Sequence, residues 1–207
     1  MSEETSERTL SHYQRNAERF WEGTRDHDVS QNLDALLGAL RDARGGEGPF
    51  RVLDFGCGPG RDLAELARRG HVPTGLDGCA AFAAMARSHA GCEVLQQDFV
   101  DLALPPASFD GVFANASLFH VPSAHLPHVL GELFRALVAP GILFCSNPRG
   151  DDVEGFQGER YGCYFQEPRW TRYFQDAGFV PVRHYYRPDG LPREQQPWLA
   201  MVFRRDA

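Results

Sequence analysis

The segment Val52–Asp62, V-L-D-F-G-C-G-P-G-R-D, constrains the fold of this 207-residue chain more than any other. The largely apolar run Arg51–Phe55 predicts a buried strand, and glycines then occupy every second position. Glycine permits positive φ and a close approach of the backbone to a ligand. Pro59 suits the start of a helix, because its fixed φ matches and its missing N–H is not needed there. The segment therefore predicts a strand, a ligand-binding turn and a helix.

The same alternation of strands and helices continues along the chain and predicts parallel strands with right-handed crossovers. The strands of this series are Phe50–Phe55, His71–Leu76, Cys92–Gln96, Phe109–Ala114 and Gly141–Asn147, and the helices are Arg61–Arg69, Ala80–His89 and Ala124–Val138. Later comes a helix, Pro168–Ala177, and then a hairpin-like pair of strands, Phe179–Tyr186 and Trp198–Arg205. The intervening segment Pro148–Gly162 reads as a polar, glycine-rich loop. We therefore expect an α/β fold with a doubly wound, seven-stranded, mostly parallel sheet and an antiparallel last strand.

The N-terminal region predicts two helices that precede this sheet. Apolar residues recur at helical spacing over residues 6–22, and a second helix covers Gln31–Arg44 with Asp28 or Ser30 as its cap. No linker or repeat divides the chain, so we expect one domain over residues 1–207. Residues 1–45 would form a helical lid, and residues 46–207 would form the core.

Composition excludes several classes of protein. The formal net charge is −7, and no run of basic residues is longer than a pair, which argues against nucleic-acid binding. No apolar run approaches the roughly 18 residues of a membrane span, and the polar start of the chain is unlike a secretory signal. The five cysteines form no C-x-x-C pair, which favours reduced thiols over disulfides or a metal site. We expect a cytoplasmic protein without a bound metal.

The acid before the glycine turn limits the choice of ligand. A dinucleotide fingerprint, G-x-G-x-x-G, would require glycine where this chain has Arg61. Asp54 would also repel a dinucleotide phosphate, whereas it suits a ligand with a cationic group such as an α-amino group. A nicotinamide-dependent oxidoreductase is therefore the weaker alternative. Cys57, within the turn, is either a small packing residue or a nucleophile.

The stretch L-D-F-G-C-G-P-G-R-D resembles motif I of the class I S-adenosylmethionine (SAM)-dependent methyltransferases, which have a Rossmann-like fold. Gly75-Leu76-Asp77 resembles the end of the family's second strand, where an acid binds both ribose hydroxyls. Gln97-Asp98-Phe99 resembles the segment in which an acid meets the adenine amino group. Phe109–Pro122 resembles the fourth strand and loop of small-molecule enzymes, and Tyr13–Thr24 resembles their N-terminal lid. The resemblance implies SAM as cofactor and S-adenosylhomocysteine (SAH) as product.

The resemblance also implies a set of site residues. Those expected at the cofactor are Asp54, Gly56, Cys57, Gly58, Gly60, Arg61, Asp77, Gly78, Asp98, Phe99, Asn115, Tyr13 and Trp21. Those expected at the methyl acceptor are Arg25, Phe20, Arg149, Tyr161, Tyr185 and Tyr186. His120 and His27 are the candidate bases, although His120 could equally be satisfied by loop backbone.

Methyl transfer from a sulfonium needs mainly proximity, orientation and an unprotonated acceptor atom. We expect transfer to a heteroatom of a small polar metabolite, nitrogen first and then sulfur or oxygen, with neither nucleic acid nor membrane as partner. A non-catalytic protein that binds SAM or SAH is the alternative. The sequence leaves the oligomeric state and the identity of the acceptor open.

Overall fold

The computed structural model describes the backbone of residues 2–206 and the side chains of residues 4–206. The nine strands are β1 Arg51–Phe55, β2 Val72–Asp77, β3 Val94–Gln96, β4 Phe109–Asn115, β5 Leu137–Pro148, β6 Val153–Gln157, β7 Arg160–Tyr164, β8 Val180–Arg187 and β9 Trp198–Arg205. The α-helices are α1 Ser2–Arg15, α2 Ala17–Thr24, α3 Ser30–Arg44, α4 Arg61–Arg68, α5 Ala80–Ala90, α6 Leu126–Ala136 and α7 Glu167–Asp176.

Seven of these strands form one sheet in the order β3-β2-β1-β4-β5-β9-β8. β1 pairs in parallel with both β2 and β4, and β4 pairs in parallel with β5. β9 lies antiparallel between β5 and β8. The expected mostly parallel, seven-stranded sheet with an antiparallel last strand is therefore confirmed. The strand order reverses between β1 and β4, and ligands of open α/β sheets bind at such a switch point.

Helices cover both faces of the sheet, because successive residues of its central strands point to opposite sides. Val52 and Phe113 contact α3 on one face, whereas Leu53 and Val112 belong to the core beneath α6 and α7 on the other. All four residues are fully buried. A parallel sheet buried in this way requires the nearly continuous apolar strands that the sequence shows.

Two expectations about the elements are wrong. The helix expected over residues 6–22 is divided at Asn16, whose side-chain amide donates to the His12 carbonyl oxygen at 2.7 Å and so competes with helix continuation. The expected loop Pro148–Gly162 contains most of the β6–β7 hairpin, which turns at Gly158 with φ +64°. Gly155 and Gly162 interrupt the alternation of apolar and polar residues that is typical of paired strands, so the sequence did not predict the hairpin.

Ser30 also does not cap α3 with its side chain. Instead the Asp28 carboxylate accepts a hydrogen bond from the Ser30 backbone N–H at 2.9 Å. The N-cap position itself is Val29, so neither of the two residues that the sequence offered occupies it. Within residues 2–206, no helix has the length and apolar character needed to cross a membrane.

Candidate active site

The carboxyl ends of β1, β2, β4 and β5 open into a cavity of about 980 Å³, which α1 and α2 cover from above. This volume lies at the upper end of the range for ligand pockets, roughly 300–1,000 Å³, and leaves room for two molecules side by side. The structure brings fourteen of the sequence-predicted site residues to the cavity wall. They are Tyr13, Phe20, Trp21, His27, Gly56, Cys57, Gly58, Arg61, Asp77, Gly78, Asp98, Phe99, Asn115 and His120.

The glycine turn forms the floor of the cavity. Gly56, Gly58 and Gly60 have φ values of +79°, +52° and +94°, which L side chains rarely adopt. A Cβ on Gly56 would collide with Ser117, and a Cβ on Gly60 would lie 2.7 Å from Ala86 Cα. Gly60 therefore serves the packing of α4 against α5 and does not line the cavity, whereas the sequence assigned it to the cofactor.

Asp77 stands at the end of β2, beside this turn, and is 8% exposed. Its two carboxylate oxygens accept hydrogen bonds from the backbone N–H groups of Gly58, at 2.9 Å, and Cys79, at 2.8 Å. Burial nevertheless raises its pKa to about 6. Each oxygen keeps a free lone pair, so the group can accept hydrogen bonds from a diol in the cavity.

Asp54 lies beneath the turn and is 2% exposed. Its Oδ2 has no hydrogen-bond partner among the described residues. Burial and, second, the charge of Asp62 raise its pKa well above the ordinary value. Asp54 does not line the cavity, so the cavity wall gives no direct support to its expected contact with the ligand. A buried acceptor without a donor is nevertheless suited to an ammonium group.

The Cys57 thiol lies in the turn and is buried. Burial and the nearby charge of Asp54 raise its pKa, so the sulfur stays protonated. A nucleophilic cysteine needs the thiolate. The packing interpretation of Cys57 is therefore the better one.

A hydrogen-bonded network joins the lid to the floor. The Arg61 guanidinium donates to Asp62, at 2.7 Å, and to the carbonyl oxygen of Thr24 at the end of α2, also at 2.7 Å. The Asn115 amide donates to Asp62 at 3.1 Å. Arg61 thus holds the end of α2 close to the start of α4. The sequence did not predict this contact.

The network continues away from the cavity. Asn32 donates its amide to Asn115 Oδ1 at 2.9 Å, and the Tyr185 hydroxyl donates to Asn32 Oδ1 at 2.9 Å. Tyr185 therefore supports α3 from β8 and does not reach the cavity. The structure therefore gives no support to its assignment to the methyl acceptor, because its hydroxyl is used to satisfy the fully buried amide of Asn32.

The third predicted acid, Asp98, lines the same cavity. Its Oδ2 accepts a hydrogen bond from the Ser6 hydroxyl of α1 at 2.5 Å. Phe99 next to it stacks on Phe55 with a centroid distance of 4.3 Å. Leu10 of α1 lies over Gly78, where a Cβ would come within 2.9 Å of it. This part of the cavity thus combines an acid with flat apolar surface, under the first helix of the lid.

His120 and Tyr13 meet in the part of the cavity wall between β4 and the lid. The distance between Tyr13 Oη and His120 Nε2 is 2.8 Å, and that between His120 Nδ1 and the Tyr161 carbonyl oxygen is 2.6 Å. A carbonyl only accepts, so Nδ1 carries the proton and Nε2 accepts from the Tyr13 hydroxyl. Desolvation lowers the pKa of His120 to about 4, which keeps the imidazole neutral near pH 7.

Four further residues assigned to the acceptor or its surroundings do not line this cavity. Arg25 pairs with Asp26 at 3.4 Å and lines a smaller neighbouring hollow. Arg149 donates to the carbonyl oxygens of residues 193 and 196, and its guanidinium lies 5.6 Å from the centre of the Tyr186 ring. Tyr161 contributes only its backbone oxygen. The charged and aromatic groups of Arg25, Arg149 and Tyr186 therefore interact with neighbouring residues of the protein.

Other cavity residues were missed. Ser6, Ser117, Arg160, Arg187 and Trp198 all line the wall. Arg160 is the first residue of β7, in the segment interpreted as a loop, and Arg187 is the last residue of β8. The hydrophobic alternation of β6 and β7 was the available signal for Arg160, but glycines at positions 155 and 162 interrupt it.

Residues 52–141 match the family described as a methyltransferase domain. A ubiquinone biosynthesis O-methyltransferase of Klebsiella pneumoniae subsp. pneumoniae is 33% identical over 132 residues, which cover 60% of this chain and 53% of that protein. A trans-aconitate 2-methyltransferase of Rhodopseudomonas palustris is 36% identical over 132 residues, which cover 62% of this chain and 50% of that protein. The chain thus contains a methyltransferase domain over residues 52–141, in agreement with the expected resemblance to the class I SAM-dependent methyltransferases. It spans about half the length of these two relatives.

A solved structure extends the likeness over the whole chain. Burkholderia thailandensis 1,6-didemethyltoxoflavin-N1-methyltransferase, with 1,6-didemethyltoxoflavin and SAH bound, superposes with a TM-score of 0.80 at 22% identity. The match covers 100% of this chain and 91% of that one. At this identity the likeness shows the fold, including its N-terminal helices.

The residues of the cavity fit the family's cofactor. Asp77 can accept from ribose hydroxyls, Asp98 and Phe99 suit an adenine ring, and Asp54 suits an ammonium group. The glycine turn leaves space at Gly58, where an added Cβ would meet only a Phe20 ring carbon, at 3.9 Å. SAM carries all three groups, so this donor and acceptor set agrees with the sequence-based expectation of SAM.

Proposed function

We propose that this methyltransferase transfers the SAM methyl group to a nitrogen of a small, polar, planar metabolite, with sulfur and oxygen as the next candidates. The hydrogen-bonded pair Tyr13–His120 carries the proposal. It faces the cavity beside the glycine turn, which would hold the cofactor, and His120 is held neutral there. A neutral imidazole behind a phenol can take the proton that a nitrogen acceptor must lose.

SAM supplies a methyl group on a sulfonium sulfur, which an acceptor lone pair displaces in line without a covalent enzyme intermediate. The chain contributes orientation and a path for the proton. When the acceptor N–H gives its proton to Tyr13 Oη, the phenol proton passes to His120 Nε2. The Tyr161 carbonyl oxygen then holds the imidazolium through Nδ1–H. Each step breaks one bond to hydrogen and forms another, so the pair acts as a single base.

The walls around the pair favour a flat acceptor. Tyr13 meets Phe20 edge-to-face at a centroid distance of 5.6 Å, and Phe119 lies 3.9 Å from the His120 ring centroid. Aromatic walls of this kind exclude water and bind planar rings through stacking and edge contacts. The solved neighbour that matches the whole chain is named as an N-methyltransferase of such a ring system, which supports placing nitrogen first.

His27 is the alternative base. It lines the same cavity from the segment between α2 and α3, but its residue is exposed. A solvated imidazole is less able than the Tyr13–His120 pair to hold a proton away from water. The net charge of −7 supports a small molecule over nucleic acid as the substrate.

The test is SAH release from SAM with a panel of heteroaromatic amines, imidazoles, phenols and thiols. We expect turnover with N–H heterocycles, and Asp54→Ala should abolish SAH binding measured by calorimetry. Exposed Asp176 on α7 supplies the matched control, Asp176→Asn, which should change neither quantity. SAH binding without turnover of any acceptor would favour the non-catalytic alternative, and absence of SAH binding would refute the proposal.

A further inference from the structure

Three arginines line the cavity, and their partners differ. Arg61 is bound to Asp62 and to the end of α2. Arg187 donates to the carbonyl oxygen of Asp28 at 3.2 Å. Arg160 is an exposed residue that lines the cavity, and among the described residues it has no carboxylate oxygen within 4.0 Å.

The fold holds Arg160 in this position from both sides. Just before it, Glu159 accepts from Arg15 at 2.7 Å and lies 3.1 Å from the ring Nδ1 of His12. Just after it, the Tyr161 backbone N–H donates to the Thr9 hydroxyl at 3.0 Å. All three of these partners belong to α1, so the turn of the β6–β7 hairpin is fastened to the lid. Arg160 can change its rotamer, but its backbone cannot leave the cavity wall while α1 stays in place.

The charge of Arg160 acts on the same pair of residues that we assign to proton transfer. Burial raises the pKa of the Tyr13 phenol, and a hydrogen bond from Arg160 opposes that rise. Desolvation lowers the pKa of His120, and the charge of Arg160 adds to that decrease. Arg160, Tyr13 and His120 also line the same cavity, so a ligand bound at the pair can reach Arg160.

The acids of the cavity wall do not compensate this charge. Asp77 and Asp98 belong to the end expected to hold the cofactor, and Asp62 is paired with Arg61. Asp26 and Asp28 lie in the exposed segment before α3. When a ligand displaces water beside Arg160, a cation without a partner becomes costly, whereas a carboxylate restores the lost hydrogen bonds.

We infer that the methyl acceptor is an anion whose carboxylate, or an equivalent planar oxyanion, is bound by Arg160 beside Tyr13 and His120. This inference rests on the proposed function and names the substrate class of the same site. Arg160 is then a substrate-binding residue, and the acceptor heteroatom is one that an acidic metabolite can present within a few bonds of its carboxylate. A role of Arg160 in orienting Tyr13 alone would predict no preference for acids.

The experiment compares acids with their carboxamides, which differ in charge but little in shape. The probes are imidazole-4-acetate, 4-hydroxybenzoate and 3-mercaptopropionate with the matching amides, titrated into SAH-saturated protein by calorimetry. The variants are Arg160→Gln, Arg160→Lys and, as a matched control, Arg172→Gln. Arg172 is 83% exposed on α7 and pairs only with Asp176 among the described residues, at 3.8 Å.

We expect at least one acid to bind about tenfold or more tightly than its amide, as a charge-assisted pair allows. Arg160→Gln should reduce this ratio to near one without changing SAH affinity, Arg160→Lys should keep part of it, and Arg172→Gln should keep all of it. Equal binding of every acid and its amide to the native protein would overturn the inference, as would a preference that survives Arg160→Gln. Failure of SAH itself to bind would instead refute the proposed function and, with it, the acceptor assignment.

Discussion

Lowering the pH should weaken SAH binding through Asp77, and the structure sets the size of the effect. Burial raises the pKa of this carboxyl to about 6, against about 3.9 for an ordinary aspartate. Only the ionised group can accept hydrogen bonds with both oxygens, so affinity is complete above pH 6 and is lost as the pH falls through 6. If only the carboxylate binds, the dissociation constant grows as 1 + 10^(6 − pH). Between pH 8 and pH 5 it rises about 11-fold, or about 1.4 kcal/mol.

Calorimetric titration of SAH at half-unit intervals from pH 8 to pH 5 measures this change directly. Asp77→Asn should bind SAH weakly at every pH and should lose the inflection near pH 6, whereas Asp176→Asn should keep it. Asp54, whose pKa burial also raises, can only make the native curve steeper. A native dissociation constant that stays within twofold over this range would refute the reasoning, as would an Asp77→Asn variant with the native pH dependence.

Three further predictions address other parts of the site. Tyr13→Phe and His120→Gln should each lower kcat about 100-fold with little change in SAH affinity, and the double variant should be no slower, since the two act as one base; additive losses in steady-state kinetics would argue against the relay. Gly56→Ala should destabilise the protein by roughly 2–4 kcal/mol in urea unfolding, because it adds positive-φ strain and a collision with Ser117; a loss below about 1 kcal/mol would contradict the turn geometry. Tyr185→Phe should cost about 1 kcal/mol of stability by leaving a buried amide oxygen short of a donor, yet leave the KM of the acceptor unchanged; a raised KM would return Tyr185 to the substrate site.

The expected fold was confirmed, and several residues expected at the cofactor line one cavity; the signals for both are local in sequence. The strands and helices follow from apolar periodicity within short windows. The glycine turn follows from backbone conformations open to few residues other than glycine. Asp77 and Asp98 follow the ends of β2 and the neighbouring β3, so the carboxyl edge of a parallel sheet brings them to one cavity. The errors lie where local patterns compete, as at Asn16 and in the hairpin strands.

The acceptor half depends on contacts between residues far apart in the chain. Tyr13 and His120 are 107 residues apart, and Thr9 lies 152 residues from the Tyr161 N–H that it binds. The β6–β7 hairpin brings Arg160 to the cavity wall, and hydrogen bonds from α1 hold the residues on either side of it. Tyr185, which the sequence offers equally well as a ligand contact, is turned toward α3 by a buried amide that needs its hydroxyl.

The sequence by itself therefore determined the sheet and the glycine turn at which a ligand is expected, because glycine conformation, strand period and strand-end carboxylates are properties of neighbouring residues. Only the tertiary structure decided which polar side chains face the acceptor. That outcome depends on which distant groups satisfy one another's hydrogen bonds on folding, and a charge or hydroxyl left without such a partner is the one available to a substrate.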